Sequence, residues 1–400
     1  MKSKYRMEPP GKKLKETATI IMGQSPPGSS YNKFGDGLPF YQGVKDFGRR
    51  FPIKRVYCNK PKKIANKDDI LFSVRAPIGR INIATEKCAI GRGLAIIRSH
   101  EKYDSFFIEN LLTFLEQKWN NLEGGGTVFG NAKRDDLELL AIPWPELNIR
   151  KKIGQTLTNL TFEIENLYRR NTVSEKIIQS VFKSWFIDFD GQTELVDSEL
   201  GQIPKGWNVR VLPEVTRIVD CLHITKPPEV ENDAYLLQVF NIVDLGLIDI
   251  SKKYYVSNED YQFWTKNIEV HAGDCIISNA GRVGAVAQIP YWLRGGIGRN
   301  ITALRPTNVT PTYLLEYLFS RLGQQEIVKQ TDAATVFNTL NVRGIKKIRI
   351  LIPEQKLMED YEKISRPLRK ILEYNAVAIL NLTKIRDSLL PKLMSGEIQV

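Results

Sequence analysis

The sequence predicts an α+β fold in which two similar β-rich mixed domains alternate with two long coiled-coil-like helices. Two observations support this prediction: short motifs recur after about 205 residues, and a heptad pattern of seam residues follows each copy. The predicted boundaries are a first domain at residues 1–147, a long helix at 148–190, a second domain at 191–353 and a second long helix at 354–400.

The internal repeat consists of four collinear matches between the two halves. The offset is 205 for the first match (274 − 69) and 210 for the last (353 − 143), so the order is kept while small insertions accumulate. Any one match could be chance, but four in order indicate a duplication. The matched segments are Asp69-Ile70-Leu71-Phe72-Ser73 with Asp274-Cys275-Ile276-Ile277-Ser278, Gly91-Arg92 with Gly298-Arg299, Thr127-Val128-Phe129 with Thr335-Val336-Phe337, and Ala141-Ile142-Pro143 with Leu351-Ile352-Pro353.

Each half carries a segment with the composition of a β-sheet. Residues 36–98 and 233–306 are rich in β-branched and aromatic side chains and are punctuated by Gly, Pro, Asn and Asp. Helical patterns at 105–119 and 311–321 follow these segments. We therefore predict two mixed domains that are rich in strands and carry a few helices.

A heptad pattern predicts each long helix. The seam of the first advances by alternating steps of four and three residues, which is the spacing of a coiled coil. The same steps recur 204 positions later in the second helix (357 − 153). The seam positions are Ile153, Leu157, Leu160, Ile164, Leu167, Asn171, Ser174, Ile178, Val181 and Trp185 in the first helix, and Leu357, Tyr361, Ile364, Leu368, Ile371, Asn375, Ala378, Leu382, Ile385 and Leu389 in the second.

Asn171 and Asn375 occupy the same seam position in the two helices. A buried asparagine usually lowers stability but can fix helix register, because it requires a polar partner. We therefore predict that the two helices pair with each other at these asparagines. The alternative is that each helix packs separately on its own domain. Pro367 lies inside the second pattern and is expected to kink or interrupt that helix, because proline has no backbone N–H.

The composition is that of a basic globular protein. Lys and Arg outnumber Asp and Glu by 57 to 45, which gives a net charge of +12 and a pI near 9.3. A field of this sign attracts nucleic acid, although a basic protein without a polyanionic partner is an open alternative on charge alone. Scattered cysteines, no signal peptide and no long apolar run predict reduced thiols and a cytoplasmic protein that does not bind membranes.

Motifs for enzymatic chemistry are missing from the sequence. There is no Gly-x-Gly-x-x-Gly turn, no Asn/Asp-Pro-Pro-aromatic motif of an amino-methyltransferase, no P-loop and no Cys/His spacing of a zinc site. A nuclease-like trio of Asp104, Glu116 and Lys118 is disfavoured, because the last two lie on a predicted helix with no supporting strand. We therefore expect a binding module without catalytic or metal-binding residues. The alternatives are an unrecognised nuclease or methyltransferase centre, and a coiled-coil scaffold without DNA affinity.

Several motifs together resemble the specificity subunits of Type I restriction-modification enzymes. Each is moderately specific alone, but their order around two repeats and two long helices spans essentially the whole chain. The motifs are Gly23-Gln24-Ser25-Pro26-Pro27, Leu38-Pro39-Phe40-Tyr41-Gln42-Gly43, Val181-Phe182-Lys183-Ser184-Trp185-Phe186-Ile187-Asp188-Phe189, Gly201-Gln202-Ile203-Pro204-Lys205-Gly206-Trp207 and Leu390-Pro391-Lys392-Leu393-Met394-Ser395-Gly396-Glu397-Ile398.

The resemblance implies two target-recognition domains that are related by a pseudo-two-fold repeat and separated by an antiparallel pair of helices. Each domain is expected to read one half of a bipartite, asymmetric site in double-stranded DNA. The resemblance also implies two methyltransferase subunits that bring S-adenosylmethionine, and two motor-nuclease subunits that bring ATP and Mg2+, with no cofactor in this chain. The seam from Ile153 to Trp185 is about 50 Å long at 1.5 Å per residue, so the helix pair is expected to set the half-site spacing.

Candidate DNA contacts are polar and basic side chains in predicted turns and at strand ends, because base readout needs donors and acceptors on rigidly held loops. Arg75 and Arg80 suit guanine, Lys133 and Arg134 suit phosphates, and Asn279 and Asn341 suit adenine. A solvated or internally bonded side chain is an equal alternative at each position. The candidates are Gln24, Ser25, Tyr41, Gln42, Arg75, Arg80, Thr127, Asn131, Lys133 and Arg134 in the first domain, and Lys226, Gln238, Asn241, Asn279, Arg282, Arg299, Thr335, Asn338, Asn341 and Arg343 in the second.

Overall fold

The computed structural model describes residues 11–123, 131–231, 233–332 and 338–398. Two compact units divide the chain: unit 1 comprises Met1–Glu165 and Asn381–Val400, and unit 2 comprises Asn166–Leu380. Both units contain helices and strands, so the fold is α+β, as the sequence predicts.

Unit 1 is built from short strands followed by helices. The strands are β1 (Gly11–Lys13), β2 (Ala18–Met22), β3 (Tyr31–Asn32), β4 (Leu38–Tyr41), β5 (Tyr57–Cys58), β6 (Ile64–Ala65), β7 (Ile70–Ser73), β8 (Ile81–Ile83), β9 (Cys88–Ile90), β10 (Leu94–Ser99) and β11 (Ala141–Pro143). The helices are α1 (Ser105–Glu123), α2 (Arg134–Glu138) and the first part of α3 (Leu147–Phe186), with 3-10 turns at Leu14–Glu16, Gly28–Ser30, Val44–Asp46 and Lys102–Asp104.

The central sheet of unit 1 is antiparallel, with the strand order β2-β10-β7-β8. Every residue of β7 is buried because both faces of the strand are covered. Ile70 and Phe72 share a core with α1, whereas Leu71 packs with residues of a second sheet, β3-β5-β4-β9-β6. This double burial explains the uninterrupted apolar run at the start of the repeated motif.

Unit 2 is built in the same sequence order. Its strands are β12 (Leu195–Ser198), β13 (Gly201–Pro204), β14 (Asn208–Val211), β15 (Thr216–Asp220), β16 (Ala234–Leu237), β17 (Tyr254–Val256), β18 (Cys275–Ser278), β19 (Val286–Gln288), β20 (Gly296–Ile297), β21 (Ile301–Pro306) and β22 (Arg349–Ile352). Its helices are the rest of α3, then α4 (Leu212–Val215), α5 (Asn258–Thr265), α6 (Pro311–Phe319), α7 (Arg321–Lys329), α8 (Val342–Ile345) and α9 (Gln355–Met394), whose last residues belong to unit 1, with 3-10 turns at Val239–Asn241 and Asp244–Gly246.

The topology of unit 2 repeats that of unit 1. Its central antiparallel sheet has the order β15-β21-β18-β19, and β14 pairs with β22 as β1 pairs with β11. The parallel pair β4 and β9 recurs as β16 and β20. A buried aspartate before the third strand of each central sheet binds an arginine of the neighbouring strand: Arg98 to Asp69 at 2.6 Å, and Arg305 to Asp274 at 2.7 Å. The predicted duplication is therefore present in the fold.

The two long helices, α3 and α9, are each continuous over 40 residues. The expected interruption at Pro367 is wrong, because α9 runs through this position. The missing N–H leaves only the carbonyl of Lys363 without its helical donor, and Pro367 is exposed, so water can supply that hydrogen bond.

The predicted seam is buried or half-buried on α3 but is partly wrong on α9. Asn171, Ser174 and Ile178 are buried, whereas Ile364 and Ile371 are 40% and 43% exposed. The buried face of α9 is turned towards the rest of unit 2, where Arg369 donates to the carbonyl oxygens of Leu245 and Gly246 at 2.6 and 2.9 Å. Polar side chains with specific partners therefore occupy positions that an apolar pattern does not reveal.

Aromatic packing joins the long helices to the rest of unit 2. The rings of Phe182 and Phe186 on α3, Tyr313 on α6 and Tyr361 on α9 lie with centroids between 4.9 and 5.6 Å apart. The Tyr313 hydroxyl donates to the Leu351 carbonyl at 2.5 Å, so this cluster is also tied to β22.

All four cysteines are buried and carry free thiols. Within the part of the chain that the structure describes, no helix combines the length and the apolar character needed to cross a membrane.

Candidate nucleic-acid interface

Four loops of unit 1 meet at the end of its central sheet. They follow β2 and β7, precede β10, and precede α2. Arg92 donates its backbone N–H to Ser25 Oγ at 3.3 Å, Val74 donates to the Gly93 carbonyl at 3.0 Å, and Ala132 donates to the Val74 carbonyl at 2.8 Å. These bonds hold the four loops as one surface.

Gly23 explains why the loop after β2 can approach the loop before β10 so closely. A Cβ atom at this position would lie 2.1 Å from the carbonyl oxygen of Gly91 and 2.6 Å from that of Leu94. Any other residue would push the two loops apart. The glycine that opens the first motif therefore brings Gln24 and Ser25 against Arg92.

Most unit 1 candidates lie on this surface or beside it. Ser25 and Gln42 are half-buried. Arg80 and Arg134 already pair with Glu116 at 3.5 Å and Glu138 at 2.6 Å. The exposed candidates are Gln24, Arg75, Arg80, Asn131, Lys133 and Arg134.

Arg92 is an exposed cation on the same surface that the candidate set omits. Neither Arg75 nor Arg92 forms an ion pair with any residue that the structure describes. The signal that could have identified Arg92 is in the repeat, because Gly91-Arg92 matches Gly298-Arg299 and Arg299 is a candidate.

The equivalent loops of unit 2 also meet at the end of the central sheet. Asn279 donates its backbone N–H to the Asn300 carbonyl at 2.9 Å and accepts from the N–H of Leu340 at 2.8 Å. Burial lowers the pKa of Lys226, and the nearby charge of Arg299 lowers it further. This surface carries the exposed candidates Lys226, Arg299, Asn338, Asn341 and Arg343.

The side chains of three unit 2 candidates form hydrogen bonds with other residues of unit 2. The Asn279 amide donates to Thr302 Oγ1 at 3.0 Å and to the Leu340 carbonyl at 2.9 Å. Asn341 accepts the N–H of Gly344 at 2.9 Å and donates to Asp332, so it caps α8. Arg282 donates to the Ile242 carbonyl at 2.6 Å. Pairing of either asparagine with adenine would require these bonds to break, so we assign both a role in holding the loops.

Tyr41, Gln238 and Asn241 are removed from the candidate interface. They are 1%, 3% and 2% exposed. Tyr41 packs in a core beside β9 and β10, and Asn241 donates to the carbonyls of Asp249 and Lys252 at 2.7 and 2.8 Å. A polar residue after a strand is typical of an exposed turn, but Asn241 is covered by the segment that contains Asp249 and Lys252. Thr127 and Thr335 lie outside the described residues.

Within the described ranges, one group of side chains could hold a metal ion. Donor atoms of Asp220, Cys221 and His223 all lie within 4.8 Å of one another. His223 Nε2 and Asp220 Oδ2 are already hydrogen-bonded at 2.8 Å, and burial raises the pKa of the Cys221 thiol, which opposes the thiolate that a metal needs. The arrangement is explained by hydrogen bonding alone.

The nuclease-like trio is not supported by the positions of its carboxylates. Asp104 is buried and accepts from Arg150 Nε and Nη2 at 2.8 and 3.1 Å. Glu116 pairs with Arg80. Both carboxylates therefore have structural partners within unit 1.

The sequence is similar to specificity proteins of Type I restriction systems. Residues 11–175 match the family described as Type I restriction modification DNA specificity domain. The protein named as the type I restriction enzyme MjaX specificity subunit of Methanocaldococcus jannaschii is 50% identical over 147 residues, which cover 36% of this chain and only 34% of that relative. The type I restriction enzyme MjaIX specificity subunit of the same organism is 25% identical over 424 residues, which cover 97% of this chain and 93% of the relative.

A solved structure shares the fold over nearly the whole chain. It is the Type-I restriction-modification system S subunit from M. genitalium, with a TM-score of 0.65 and 16% sequence identity, covering 96% of this chain and 95% of that chain. At this identity the similarity establishes the α+β architecture with its two long helices.

Proposed function

We propose that this chain is a Type I restriction-modification specificity subunit and that it reads a bipartite, asymmetric target in double-stranded DNA; its similarity to that family supports the proposal. The observation that carries the proposal is that the same loop surface is built twice, once in each unit, with different side chains. Beside the equivalent Arg92 and Arg299, unit 1 presents Gln24 and Arg75, whereas unit 2 presents Lys226 and Arg343. Equivalent scaffolds with different side chains would read different half-sites.

Rigid loops support a role in base readout. Each surface is fixed by backbone hydrogen bonds of 2.8 to 3.0 Å between neighbouring loops, which hold long side chains at defined positions. The net charge of +12 favours phosphate contacts, which would set the orientation on the duplex without selecting a sequence.

We further propose that the helix pair sets the distance between the half-sites. A continuous helix of 40 residues is about 60 Å long at 1.5 Å per residue, compared with ~34 Å for one turn of B-DNA. A hydrogen bond between Asn375 and Asn171 supports a single register for the pair.

In this proposal the chain has no catalytic activity and no cofactor of its own. Two methyltransferase subunits would bring S-adenosylmethionine for adenine methylation, and two motor-nuclease subunits would bring ATP and Mg2+ for cleavage. The complex would act in the cytoplasm, where the DNA is. Turnover by the purified chain with metal or S-adenosylmethionine would contradict this part of the proposal.

The experiment that tests the proposal maps methylated adenines in cells that express this chain with the methyltransferase subunit encoded beside it. We expect a bipartite motif that disappears when this chain is omitted. Replacing residues 200–353 with the equivalent domain of another family member should change one half-site only. A change in both half-sites, or a methylation pattern that does not depend on this chain, would overturn the proposal.

A further inference from the structure

Unit 1 contains an open groove of about 940 Å³ that the proposed DNA surface does not include. Its walls carry the rings of Phe51, Tyr103, Phe106 and Phe162, and Tyr103 and Phe162 are 41% and 40% exposed. Exposed aromatic rings gathered in one concave surface are unusual for a protein without a partner at that place. The groove therefore has the apolar surface of a binding site.

The rim of this groove is basic. Lys67, Lys102, Lys151 and Lys152 are all exposed, and none of them forms an ion pair with a residue in the described ranges. Together with Arg50, five cationic side chains line the groove, against the two carboxylates of Asp68 and Glu109. An occupant with negative charge would complement this rim.

Arg50 lines the groove and packs against one of its aromatic rings. The side chain is 7% exposed, and its Nε and Nη2 atoms each donate to Glu109 at 2.8 Å. The guanidinium lies over the Phe162 ring, 4.2 Å from its centroid. The remaining Nη1 atom is buried and has no hydrogen-bond partner among the described residues. The paired guanidinium therefore fixes the Phe162 ring at the wall of the groove, whose open positive charge comes from the lysines.

The equivalent position in unit 2 is closed. The edge of the groove is defined by the hydrogen bond from Asp68 N–H to the Ala84 carbonyl, and the same bond joins Gly273 to Ile289 in unit 2. In unit 2 the cavity beside Gly273 and Ile289 measures only about 20 Å³, and Arg366, Arg369 and Glu373 of α9 line it. A neighbouring depression of about 540 Å³ is lined by polar residues and one proline, without an aromatic ring. Among the described residues, the position in unit 2 that is equivalent to the groove therefore lacks an apolar cavity of this size.

The groove and the proposed DNA surface lie at opposite ends of β7. Lys67 and Asp68 precede this strand, whereas Arg75 follows it. Four residues of β-strand separate the two ends by about 13 Å at ~3.3 Å per residue. The groove is therefore distinct from the proposed DNA surface, and its aromatic walls favour an apolar side chain over a phosphate backbone.

We propose that this groove binds a segment of the methyltransferase subunit in which an acidic side chain adjoins a large apolar side chain. The apolar side chain inserts among the aromatic rings, and the carboxylate faces the lysines of the rim. Because the equivalent position beside Gly273 and Ile289 is closed, the segment binds to unit 1. The proposal rests on the proposed function for its choice of partner.

Photo-crosslinking in the assembled complex tests the inference. Phe162 is replaced by p-benzoylphenylalanine in the full chain, and the complex with the methyltransferase subunit is irradiated and digested. We expect crosslinks to one methyltransferase peptide that contains Asp or Glu beside a large apolar residue. The same replacement at the exposed Tyr291, beside the closed position in unit 2, should not capture that peptide. Crosslinks from position 162 to DNA, to a peptide without acidic residues, or to nothing would overturn the inference.

Charge reversal provides a second test with a matched control. The double variant Lys102→Glu with Lys152→Glu should weaken binding of the methyltransferase subunit at least tenfold, whereas Lys60→Glu with Lys62→Glu changes the net charge equally at exposed positions outside the groove and should not. Equal affinity of the two double variants would reject the groove but leave the proposed function intact. A chain that neither binds the methyltransferase subunit nor directs methylation would reject the proposed function itself.

Discussion

Asn375 donates a 2.7 Å hydrogen bond through Nδ2 to Oδ1 of Asn171, and both side chains are buried. The two residues are 204 positions apart and occupy the same place in the two copies of the heptad pattern. Tyr361 of α9 packs on Trp185 of α3, at 6.4 Å between ring centroids, so the two helices run antiparallel within unit 2. A shift of either helix by one turn would leave both amides buried without a partner, which makes this register the favourable one.

Replacing one asparagine should destabilise the helix pair more than replacing both. Asn171→Leu leaves the Asn375 amide buried and unpaired, and we expect the free energy of unfolding to fall by about 1–3 kcal/mol. The double variant with Asn375→Leu removes both polar groups and should recover most of that loss. Urea unfolding of the two single variants and the double variant measures the coupling; additive losses would show that the hydrogen bond does not connect the two residues.

The arginines at the repeated Gly-Arg motif should act on separate half-sites. Arg92→Ala and Arg299→Ala each remove an exposed cation from one loop surface, so each should weaken DNA binding by roughly 1–3 kcal/mol if the residue reads a base. The methylation motif of each variant should relax in one half-site only. Lys176→Ala, at an exposed position on α3, serves as the control. Equal relaxation of both half-sites in either variant would contradict the assignment.

Lengthening both helices should lengthen the target. One heptad inserted after Glu165 in α3 and one after Leu380 in α9 fall at the boundary between the two units, so neither core is interrupted. Seven residues add about 10.5 Å of helix, which corresponds to roughly three base pairs at ~3.4 Å each. Methylation mapping reports the spacer directly, and an unchanged spacer would show that the helices do not determine it.

Tyr41→Phe should leave DNA recognition unchanged. The ring lies in the core, and the hydroxyl is buried without a hydrogen-bond partner among the described residues. Burial raises the pKa of this phenol, so it stays protonated at all working pH values. We expect the variant to be as stable as the parent or up to about 1 kcal/mol more stable. A changed methylation motif would place Tyr41 back among the DNA contacts.

Unit 2 should lose stability as the pH rises through neutrality. Burial raises the pKa of Glu316 from 4.5 to about 7; the charge of Arg369 lowers it, and that of Glu175 raises it. Because the folded pKa lies above the unfolded one, the stabilisation is complete below about pH 4.5 and is lost as the pH approaches 7, by on the order of 3 kcal/mol.

Glu316→Gln should remove this dependence. Relative to the parent, the free energy of unfolding of the variant is expected to rise from pH 5 to pH 8. Urea unfolding at both pH values measures this change. Glu359→Gln changes an exposed carboxylate on α9 and should follow the parent at each pH. A parallel pH dependence of parent and Glu316→Gln would exclude Glu316 as the source.

Much of the architecture follows from the sequence by itself. The recurrence of Asp69-Ile70-Leu71-Phe72-Ser73 as Asp274-Cys275-Ile276-Ile277-Ser278 identifies the same central strand in both units. Heptad spacing identifies the two long helices, and matched asparagines identify where they meet. These features are local or periodic, so they are recorded along the chain.

The tertiary structure decided which helix faces are buried and which side chains are exposed for binding. Periodicity placed Ile364 and Ile371 in the seam, but α9 buries another face, on which Arg369 donates to the carbonyls of Leu245 and Gly246. The sequence predicts Gln238 to be a surface residue, but it is 3% exposed and its side chain packs against Gly298, 60 residues later in the chain. The open groove beside Arg50, closed in unit 2, has no counterpart in the sequence pattern. A sequence specifies which residues are polar or apolar, whereas burial and partnership depend on residues that are distant along the chain and meet only in the folded protein.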